Sequence, residues 1–269
     1  MKPINSIQTK GSVIIAGAGP GDADLITLKL QKALAVADVI ITDRLVNPDI
    51  ISNHAPKNVT VILAGKQGYN NASYTQDEIN ELIATHALQG KKVLRLKGGD
   101  VAFFSNVLDE LQTVVQYDIP FEIIPGITAA AGASAYTGIP LTARGYAQGV
   151  QWITFNPSTN YNSDKWRYLA ATDDTLVFYM ASKNVIHLAE LLLRYMGKKD
   201  VPLAIIEQAT TPHQKINISS LRKCASDFAN KTFSSPSLVV VGQVVELYEQ
   251  FKWFQTDPVE GSIFKELEK

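Results

Sequence analysis

The segment Gly17-Ala-Gly-Pro-Gly-Asp22 has glycines at a spacing that lets a backbone approach a cofactor closely. It follows an apolar run and has the outline of the dinucleotide-binding turn, G-x-G-x-x-G, which holds a pyrophosphate on free amide groups. Pro20, however, has no N–H, and Asp22 and Asp24 place carboxylates where the phosphates would lie. This chemistry favours a cofactor without phosphates, such as S-adenosylmethionine, which carries a sulfonium cation. The alternative is a strand-to-helix turn in which Asp22 is only the N-cap.

A second glycine-rich turn, Lys97-Gly-Gly-Asp100, follows a predicted strand at 92–96. The carboxyl ends of the strands form the ligand-binding edge of open α/β sheets. Paired glycines allow hydrogen bonds between backbone and ligand, and Asp100 can accept bonds from ribose hydroxyls or attract a sulfonium. A tight turn capped by Asp100 is the alternative.

Charged and sulfur-containing residues end three further predicted strands. Asp43 and Arg44 follow the strand at 39–42, where their opposite charges also fit a surface ion pair. In the second half of the chain, one strand ends at Met180 and another runs into the polar segment 207–212. A thioether such as that of Met180 can lie against an adenine or a substrate ring, or simply fill a core.

The composition indicates a globular protein of two α/β domains, because 269 residues with 46% hydrophobic side chains are ample for two cores. A net charge of −1 and a pI near 6.4 argue against a nucleic-acid-binding face. The single cysteine, Cys224, excludes an internal disulfide framework and is expected to be a neutral, buried thiol. No segment has the pattern of a signal peptide or a membrane span. We therefore expect a cytoplasmic protein with no membrane or nucleic-acid partner.

Motifs for metal binding or nucleophilic catalysis are missing from the sequence. The four histidines show no zinc-site spacing with one another or with Cys224. There is no G-x-S-x-G elbow and no phosphate-binding lysine motif. The candidate catalytic residues of this sequence fit a reaction that needs only a bound electrophile and a positioned acceptor, without a metal.

Alternating apolar runs and amphipathic stretches predict largely parallel sheets covered by helices. The predicted strands are 12–16, 39–42, 59–63, 92–96, 121–124, 150–154, 175–179, 203–207 and 238–241. The predicted helices are 23–36, 75–88 with a capping box, 103–116, 185–196 and 221–229. The small residues of 125–136 fit a helix packed closely on a ligand or on another helix, and 156–164 is predicted as a surface loop. We place the domains at 11–137 and 138–252, followed by a charged tail at 253–269.

Read in order, these motifs and several others resemble the tetrapyrrole methylase family over residues 12 to 250. The matching motifs are Gly17–Asp22, Asp43–Val46, Gly65-Lys66, Leu96–Asp100, Pro125–Ala129, Gly138–Thr142, Phe178–Met180, Glu207–Pro212 and Ser235–Gly242. The resemblance implies two α/β domains with a cofactor cleft between them, as in class III methyltransferases, and a homodimer. It also implies that the chain transfers two methyl groups from S-adenosylmethionine to uroporphyrinogen III, giving precorrin-2 on the route to sirohaem or cobalamin.

The resemblance assigns roles to individual residues of this sequence. The implied cofactor contacts are Pro20, Gly98, Gly99, Asp100, Thr128, Ala129, Met180 and Ala209. The implied catalytic positions are Asp43, which would contact pyrrole N–H groups or handle a proton, together with Arg144 and Asn106. The implied substrate-binding positions are Arg44, Lys66 and Met180, and Arg144 shares with Lys66 the task of binding substrate carboxylates.

The chain departs from the family pattern mainly where the substrate would bind. Asn106 stands where the family has an arginine, Ala143 where it has a histidine, and Gln67 where it has an arginine. Arg95, Lys97 and Lys183 are cations that could replace the lost charges. Besides the leading hypothesis, three alternatives stay open: a methyltransferase for another acceptor, a cofactor-binding protein without catalysis, and a nicotinamide-dependent dehydrogenase.

Overall fold

The computed structural model describes residues 10–65, 74–158, 162–197, 200–255 and 261–264. The chain divides into two compact units, Met1–Thr128 with Ile263–Lys269, and Ala129–Ser262. The predicted boundary at 137/138 falls at the far end of the helix Ala129–Thr137, which belongs wholly to the second unit. Among the described residues, no helix combines the length and the apolarity that a membrane crossing requires.

The first unit is built on a five-stranded sheet in which every pairing is parallel. Its strands are β1 (Ser12–Gly17), β2 (Val39–Thr42), β3 (Thr60–Leu63), β4 (Lys92–Lys97) and β5 (Phe121–Ile124). Its helices are α1 (Leu28–Leu34), α2 (Pro48–His54), α3 (Gln76–Leu88) and α4 (Val107–Gln116). The strand order is β3-β2-β4-β1-β5, so β1 and β4 lie side by side within the sheet. Because all strands are parallel, the loops after them meet at one edge.

The second unit has a mixed sheet, and the prediction of largely parallel pairing is wrong there. Its strands are β6 (Val150–Thr154), β7 (Thr175–Tyr179), β8 (Pro202–Glu207), β9 (Lys215–Ser220) and β10 (Ser237–Val241). Its helices are α5 (Ala129–Thr137), α6 (Ser163–Ala171), α7 (Val185–Met196), α8 (Cys224–Phe228) and α9 (Tyr248–Phe251). In the order β6-β7-β10-β8-β9, only β6 and β7 pair in parallel. β9, which returns antiparallel to β8, was not predicted.

Several predicted helices are shorter in the structure because local backbone geometry interrupts them. The stretch 23–36 divides at Thr27, whose side chain accepts from the Leu30 N–H and starts α1. The stretch 103–116 becomes helical only at Val107, since Phe104 and Asn106 have left-handed backbones. Three of the described helices, α2, α6 and α9, were not predicted, and α6 takes in the end of the predicted loop 156–164. The capping box at the start of α3 is confirmed.

Each sheet is covered by apolar helical faces. In the first unit, Ile79 and Ile83 of α3 pack with Val13 and Val93 of the sheet, while α1 packs on its other face. In the second unit, Leu188 and Leu192 of α7 pack with the buried strands. Apolar packing on both sides explains why the central strands carry long buried runs.

Candidate functional site

Two glycine turns meet at the carboxyl edge of the first sheet. The Gly19 N–H donates to the Gly99 carbonyl at 3.0 Å, and the Gly99 N–H donates to the Gly19 carbonyl at 2.7 Å. Both residues have positive φ angles, 79° and 71°, which glycine adopts at little cost. The turns after β1 and β4 therefore form one connected surface, as adjacent parallel strands require.

Asp100 joins a third loop to this surface. Its Oδ2 atom accepts from the Gly126 N–H at 2.7 Å, and its Oδ1 atom accepts from the Ala102 N–H at 2.8 Å. Asp100 is buried, and Thr128 lies buried at the end of the same loop after β5. Asp100 thus acts first as a connector of backbone loops, which refines its expected role as a direct ligand group.

Three amide groups in or next to the Gly17–Asp22 segment, those of Ala18, Gly19 and Asp24, are already used within the protein. The Ala18 N–H donates to the Lys97 carbonyl at 2.7 Å, and the Asp24 N–H donates to the Asp22 carboxylate at 2.9 Å. Asp22 is the N-cap of a short 3-10 turn, as one alternative from the sequence proposed. With these amides occupied and Pro20 lacking one, the turn offers little to a pyrophosphate. This geometry disfavours the nicotinamide alternative.

Asn47 ties the loop after β2 to the same edge. Its Nδ2 atom donates to the Gly21 carbonyl at 2.8 Å, and its Oδ1 atom accepts from the Asp49 N–H at 2.9 Å as the N-cap of α2. The side chain is buried. One amide group thus starts a helix and fixes the turn that contains Pro20.

Four charged side chains form a buried network beneath this edge, which we call the charge cluster: Asp43, Arg95, Lys97 and Glu110. Arg95 Nη2 donates to Asp43 Oδ1, and Arg95 Nε donates to Glu110 Oε1 at 2.8 Å. Lys97 Nζ donates to the same Glu110 oxygen at 2.7 Å. The Arg95 and Lys97 side chains are each 3% exposed, Glu110 is fully buried and Asp43 is 27% exposed. Asp43 is therefore the member that solvent, or a substrate, can reach.

The surroundings shift the pKa values of both cations in the charge cluster. Burial disfavours the charged form of Arg95, but Asp43 and Glu110 outweigh it and raise the pKa of the guanidinium. Burial, with the neighbouring Arg95 charge, lowers the pKa of Lys97, and Glu110 and Asp43 oppose this only in part. Both cations are committed to internal carboxylates. The expectation that Arg95 or Lys97 could bind substrate carboxylates is therefore wrong.

In the second unit, the residues next to Met180 and Ala129 in the chain are joined by a hydrogen bond. The Tyr179 hydroxyl accepts from the Ala130 N–H at 3.1 Å, next to Ala129 at the start of α5. Met180 follows β7 directly, has φ 59° and is 66% exposed. A long side chain held exposed on a left-handed backbone is costly, and such strain concentrates at functional sites. Of the two sequence interpretations, core filler is therefore wrong for Met180.

Ala209 lies on a second strained loop at the same edge of that sheet. The last residues of β7 and β8, Tyr179 and Glu207, pair with the first residues of β10, so the loops after them leave side by side. Gln208 and Thr210, on either side of Ala209, have φ angles of 45° and 69°. The Thr210 N–H donates to Gln214 Oε1 at 2.8 Å, which holds the loop in shape.

The other predicted site residues lie on surface loops or outside the described residues. Arg144 is exposed in a turn closed by reciprocal hydrogen bonds of 3.0 Å between Ala143 and Ala147. Asn106 is exposed at the start of α4 with φ 55°, a conformation that asparagine tolerates better than most residues. Arg44 is half-buried beside Asp43. Lys66 lies outside the described residues.

Within the described ranges, no three histidine, cysteine, aspartate or glutamate side chains are arranged to hold a metal ion. Cys224 is buried, and burial, with smaller contributions from Asp227 and Glu190, raises its pKa to about 11. The thiol is therefore neutral at physiological pH, as the sequence analysis expected, and is not a nucleophile.

The partnership of Arg95 with Asp43 and the role of Glu110 were not predicted from the sequence. A signal was available: Arg95 and Lys97 are cations at alternate positions of a strand in the middle of a parallel sheet. Buried cations require buried carboxylates, and α4 supplies Glu110 on the face toward which alternate residues of β4 point.

Comparisons with known proteins place the chain in one family and identify solved structures with a similar fold. The family model for tetrapyrrole (corrin/porphyrin) methylases matches residues 12–225. A solved structure of uroporphyrin-III C-methyl transferase from Thermus thermophilus, complexed with S-adenyl homocysteine, is 30% identical with a TM-score of 0.73. That match covers 88% of this chain and 94% of the other.

Two longer proteins are also similar to the chain. Siroheme synthase from Enterobacter sp. (strain 638) is 42% identical over 254 residues, which is 94% of this chain and 54% of that protein. Siroheme synthase from Vesicomyosocius okutanii subsp. Calyptogena okutanii (strain HA) is 38% identical over 256 residues, which is 95% of this chain and 54% of that protein. The chain thus spans about half the length of the curated relatives it matches.

Proposed function

The chain belongs to the tetrapyrrole methylase family, and on that premise we propose that it is an S-adenosylmethionine-dependent C-methyltransferase converting uroporphyrinogen III to precorrin-2. The observation that carries the proposal is the match to uroporphyrin-III C-methyl transferase over 94% of that protein's length. The names of the longer relatives support a place on the route to sirohaem, and cobalamin synthesis is the other route that would use the product.

The residues present suit a cofactor that is cationic and lacks phosphates. The first sheet edge presents carboxylates and glycine backbone, while the Ala18, Gly19 and Asp24 amides at its first turn are already bonded. The residues proposed to hold the cofactor are Pro20, Gly98, Gly99, Asp100 and Thr128 in the first unit, and Ala129, Met180 and Ala209 in the second. When bound, S-adenosylmethionine supplies a methyl group on a positively charged sulfur, and the electron pair of the broken carbon–sulfur bond stays on the sulfur.

Asp43 is proposed to handle the proton of the reaction. The reduced macrocycle is electron-rich at carbon, and after a new carbon–carbon bond forms, the ring must release one proton for each methyl group gained. Asp43 is the partly exposed carboxylate of the charge cluster, so it can meet a substrate while its other contacts fix it. A positioned general base of this kind contributes about 10² to 10⁴-fold to a rate.

Cations outside the charge cluster are proposed to bind the carboxylates of the substrate. Lys66, Arg44 and the exposed Arg144 are the candidates, and each charge-assisted bond is worth about 1.5–3 kcal/mol. Asn106 can donate a hydrogen bond but carries no charge. We propose that the segment containing Asn106, at the start of α4, positions the substrate by hydrogen bonding rather than by ion pairing.

The assembly and the setting are also proposals. We propose a homodimer, which sedimentation of the purified chain would test, and a cytoplasmic location. The longer relatives contain further sequence that this chain does not match, so the proposal covers the methyltransferase reaction and not their complete activities.

The proposal is tested by incubating the protein anaerobically with S-adenosylmethionine and freshly generated uroporphyrinogen III, followed by mass spectrometry. The wild type is expected to add two methyl groups, and D43N to slow the addition at least about 100-fold. D164N is the matched control, because Asp164 forms an exposed ion pair with Arg167. No addition by a sample that binds S-adenosylhomocysteine would overturn the proposal, and addition only to another tetrapyrrole would assign the chain to that acceptor.

A further inference from the structure

We propose that Arg95 is a positioning residue that holds Asp43 in its working orientation, and that Glu110 is the buried anchor that fixes Arg95. This inference rests on the proposed role of Asp43. The side chain of Arg95 is 3% exposed and that of Glu110 is fully buried, so neither is placed to touch a substrate. Any effect of the pair on the reaction must pass through Asp43.

Every nitrogen of the Arg95 guanidinium has a partner. Nη2 donates to Asp43, Nε donates to Glu110 at 2.8 Å, and Nη1 donates to the Ile41 and Leu96 carbonyls at 3.3 and 3.2 Å. The group is planar and rigid, so bonds on one side set the direction of the bonds on the other. The main chain of β2 and β4 therefore determines where the Asp43 carboxylate points.

Glu110 completes this arrangement from the helix. Its Oε1 atom accepts from both Arg95 and Lys97, at 2.8 and 2.7 Å. It lies near the first turn of α4, where the helix dipole favours a negative charge. With Lys97 included, the charge cluster holds two cations and two anions, so it is neutral as a whole when all four are ionised.

A gain in folding stability does not explain why the charge cluster is present. Moving three charges fully and a fourth partly out of water is expensive, and buried ion pairs are often replaced by apolar residues without loss of stability. Among the described residues, Glu110 Oε2 is buried without a hydrogen-bond partner, which adds a further cost. A network that costs free energy in the fold and ends at a partly exposed carboxylate is better explained by the precision it gives to that carboxylate.

The first test compares R95K and E110Q with the surface control R167M. Lysine keeps the charge at position 95 but cannot contact Asp43, Glu110 and both carbonyls at once. We expect R95K to lower kcat about 10 to 100-fold, the scale of a misplaced catalytic group, with KM for S-adenosylmethionine and affinity for S-adenosylhomocysteine within about twofold. E110Q tests the same link from the other end and is expected to lower kcat in the same way. R167M breaks the exposed ion pair with Asp164 and should leave kcat, KM for S-adenosylmethionine and affinity for S-adenosylhomocysteine unchanged.

The second test does not depend on turnover. In protein labelled with ¹³C at aspartate carboxyl carbons, the Asp43 resonance is assigned by its loss in D43N. We expect R95K and E110Q to shift or broaden this resonance, and R167M to leave it unchanged. An unchanged Asp43 resonance, or a loss of S-adenosylhomocysteine affinity as large as the loss of kcat, would overturn the inference.

The two proposals fail in different ways. If the wild type does not methylate uroporphyrinogen III and the Asp43 resonance still responds to R95K, the proposed function fails and the positioning inference stands. If the wild type methylates normally and R95K keeps its kcat, the positioning inference fails and the proposed function stands.

Discussion

A β-carbon on Gly126 would lie 2.4 Å from the carbonyl oxygen of Gly99, so the loops after β5 and β4 touch at a distance that only glycine permits. Gly17 is held equally tightly, since its β-carbon would lie 2.6 Å from the same oxygen. The atoms in the way belong to the main chain, which cannot rotate aside as a side chain can. Three loops of the first unit are therefore shaped by one close contact.

The first prediction concerns Gly126→Ala. The new methyl group must push the Gly99 loop away, so we expect affinity for S-adenosylhomocysteine to fall at least about tenfold and stability to fall by about 1–3 kcal/mol. Calorimetric titration and urea unfolding measure the two effects. G197A is the control, because nothing lies within 4 Å of its β-carbon and only its positive φ carries a cost. Equal affinities for G126A and G197A would contradict the prediction.

The second prediction separates the two roles of Asn47. Asn47→Ala removes both the cap of α2 and the bond to the Gly21 carbonyl, so we expect it to cost about 2–3 kcal/mol of unfolding free energy and to weaken S-adenosylhomocysteine binding. Asn162→Ala removes only an exposed cap, the bond from Lys165 N–H at 3.0 Å, and should cost about 1 kcal/mol without changing affinity. Urea unfolding and calorimetry compare the two. A cost for N47A no larger than that for N162A would show that the Gly21 bond contributes nothing.

The third prediction concerns the strained backbone at Met180. Met180→Gly removes the cost of a left-handed conformation, so we expect stability to be unchanged or higher by about 1 kcal/mol while affinity for S-adenosylhomocysteine falls. Asp118→Gly, at an exposed residue with φ 49°, offers the same backbone relief away from the site, loses only an exposed ion pair with Lys10 besides, and should leave affinity unchanged. Thermal unfolding and calorimetry test both variants. A stability loss in M180G without an affinity loss would indicate that the thioether serves only packing.

The fourth prediction follows from the raised pKa of Cys224, about 11 against an ordinary value of 9.0. The unfolded chain releases the thiol proton near pH 9, whereas the folded chain keeps it until about pH 11. Between about pH 9 and about pH 11 the folded state therefore binds more protons than the unfolded state. The stability that the neutral thiol contributes is constant below about pH 9 and is lost as the pH rises from about 9 to about 11.

Cys224→Ala isolates this contribution, because all other titrating groups, Lys97 included, are common to both proteins. We expect the stability advantage of the wild type over C224A to shrink by about 2 kcal/mol between about pH 8 and about pH 11. Urea unfolding at both pH values measures it. A difference that does not change with pH would contradict the raised pKa.

The sequence predicted the strands well where apolar, β-branched runs are bounded by turn residues. β2, β5, β6 and β7 have the predicted limits, and α7 begins and ends where its periodicity does. The pairing direction of β10 and the existence of β9 were not predictable in the same way. Strand direction depends on long-range pairing, and Lys215–Ser220 is a partly exposed edge strand with few large apolar residues.

The site was predictable as motifs but not as contacts. The glycine turns and Asp43 stand at strand ends, so the position of each strand implies a place on the ligand-binding edge. The pairing of Asp43 with Arg95, fifty-two positions apart, depends on β2 and β4 lying side by side. The strained backbone at Met180, likewise, has no local signal, because methionine itself does not favour a left-handed conformation.

The most direct measurement uses S-adenosylmethionine with a ¹³C-labelled methyl group in the anaerobic reaction with uroporphyrinogen III, followed by carbon NMR of the isolated tetrapyrrole. We expect two labelled methyl groups bonded to ring carbons and none on carboxylate oxygens. Label confined to methyl esters, or retained on the donor while S-adenosylhomocysteine binds normally, would contradict the assignment of this chain as a C-methyltransferase for uroporphyrinogen III.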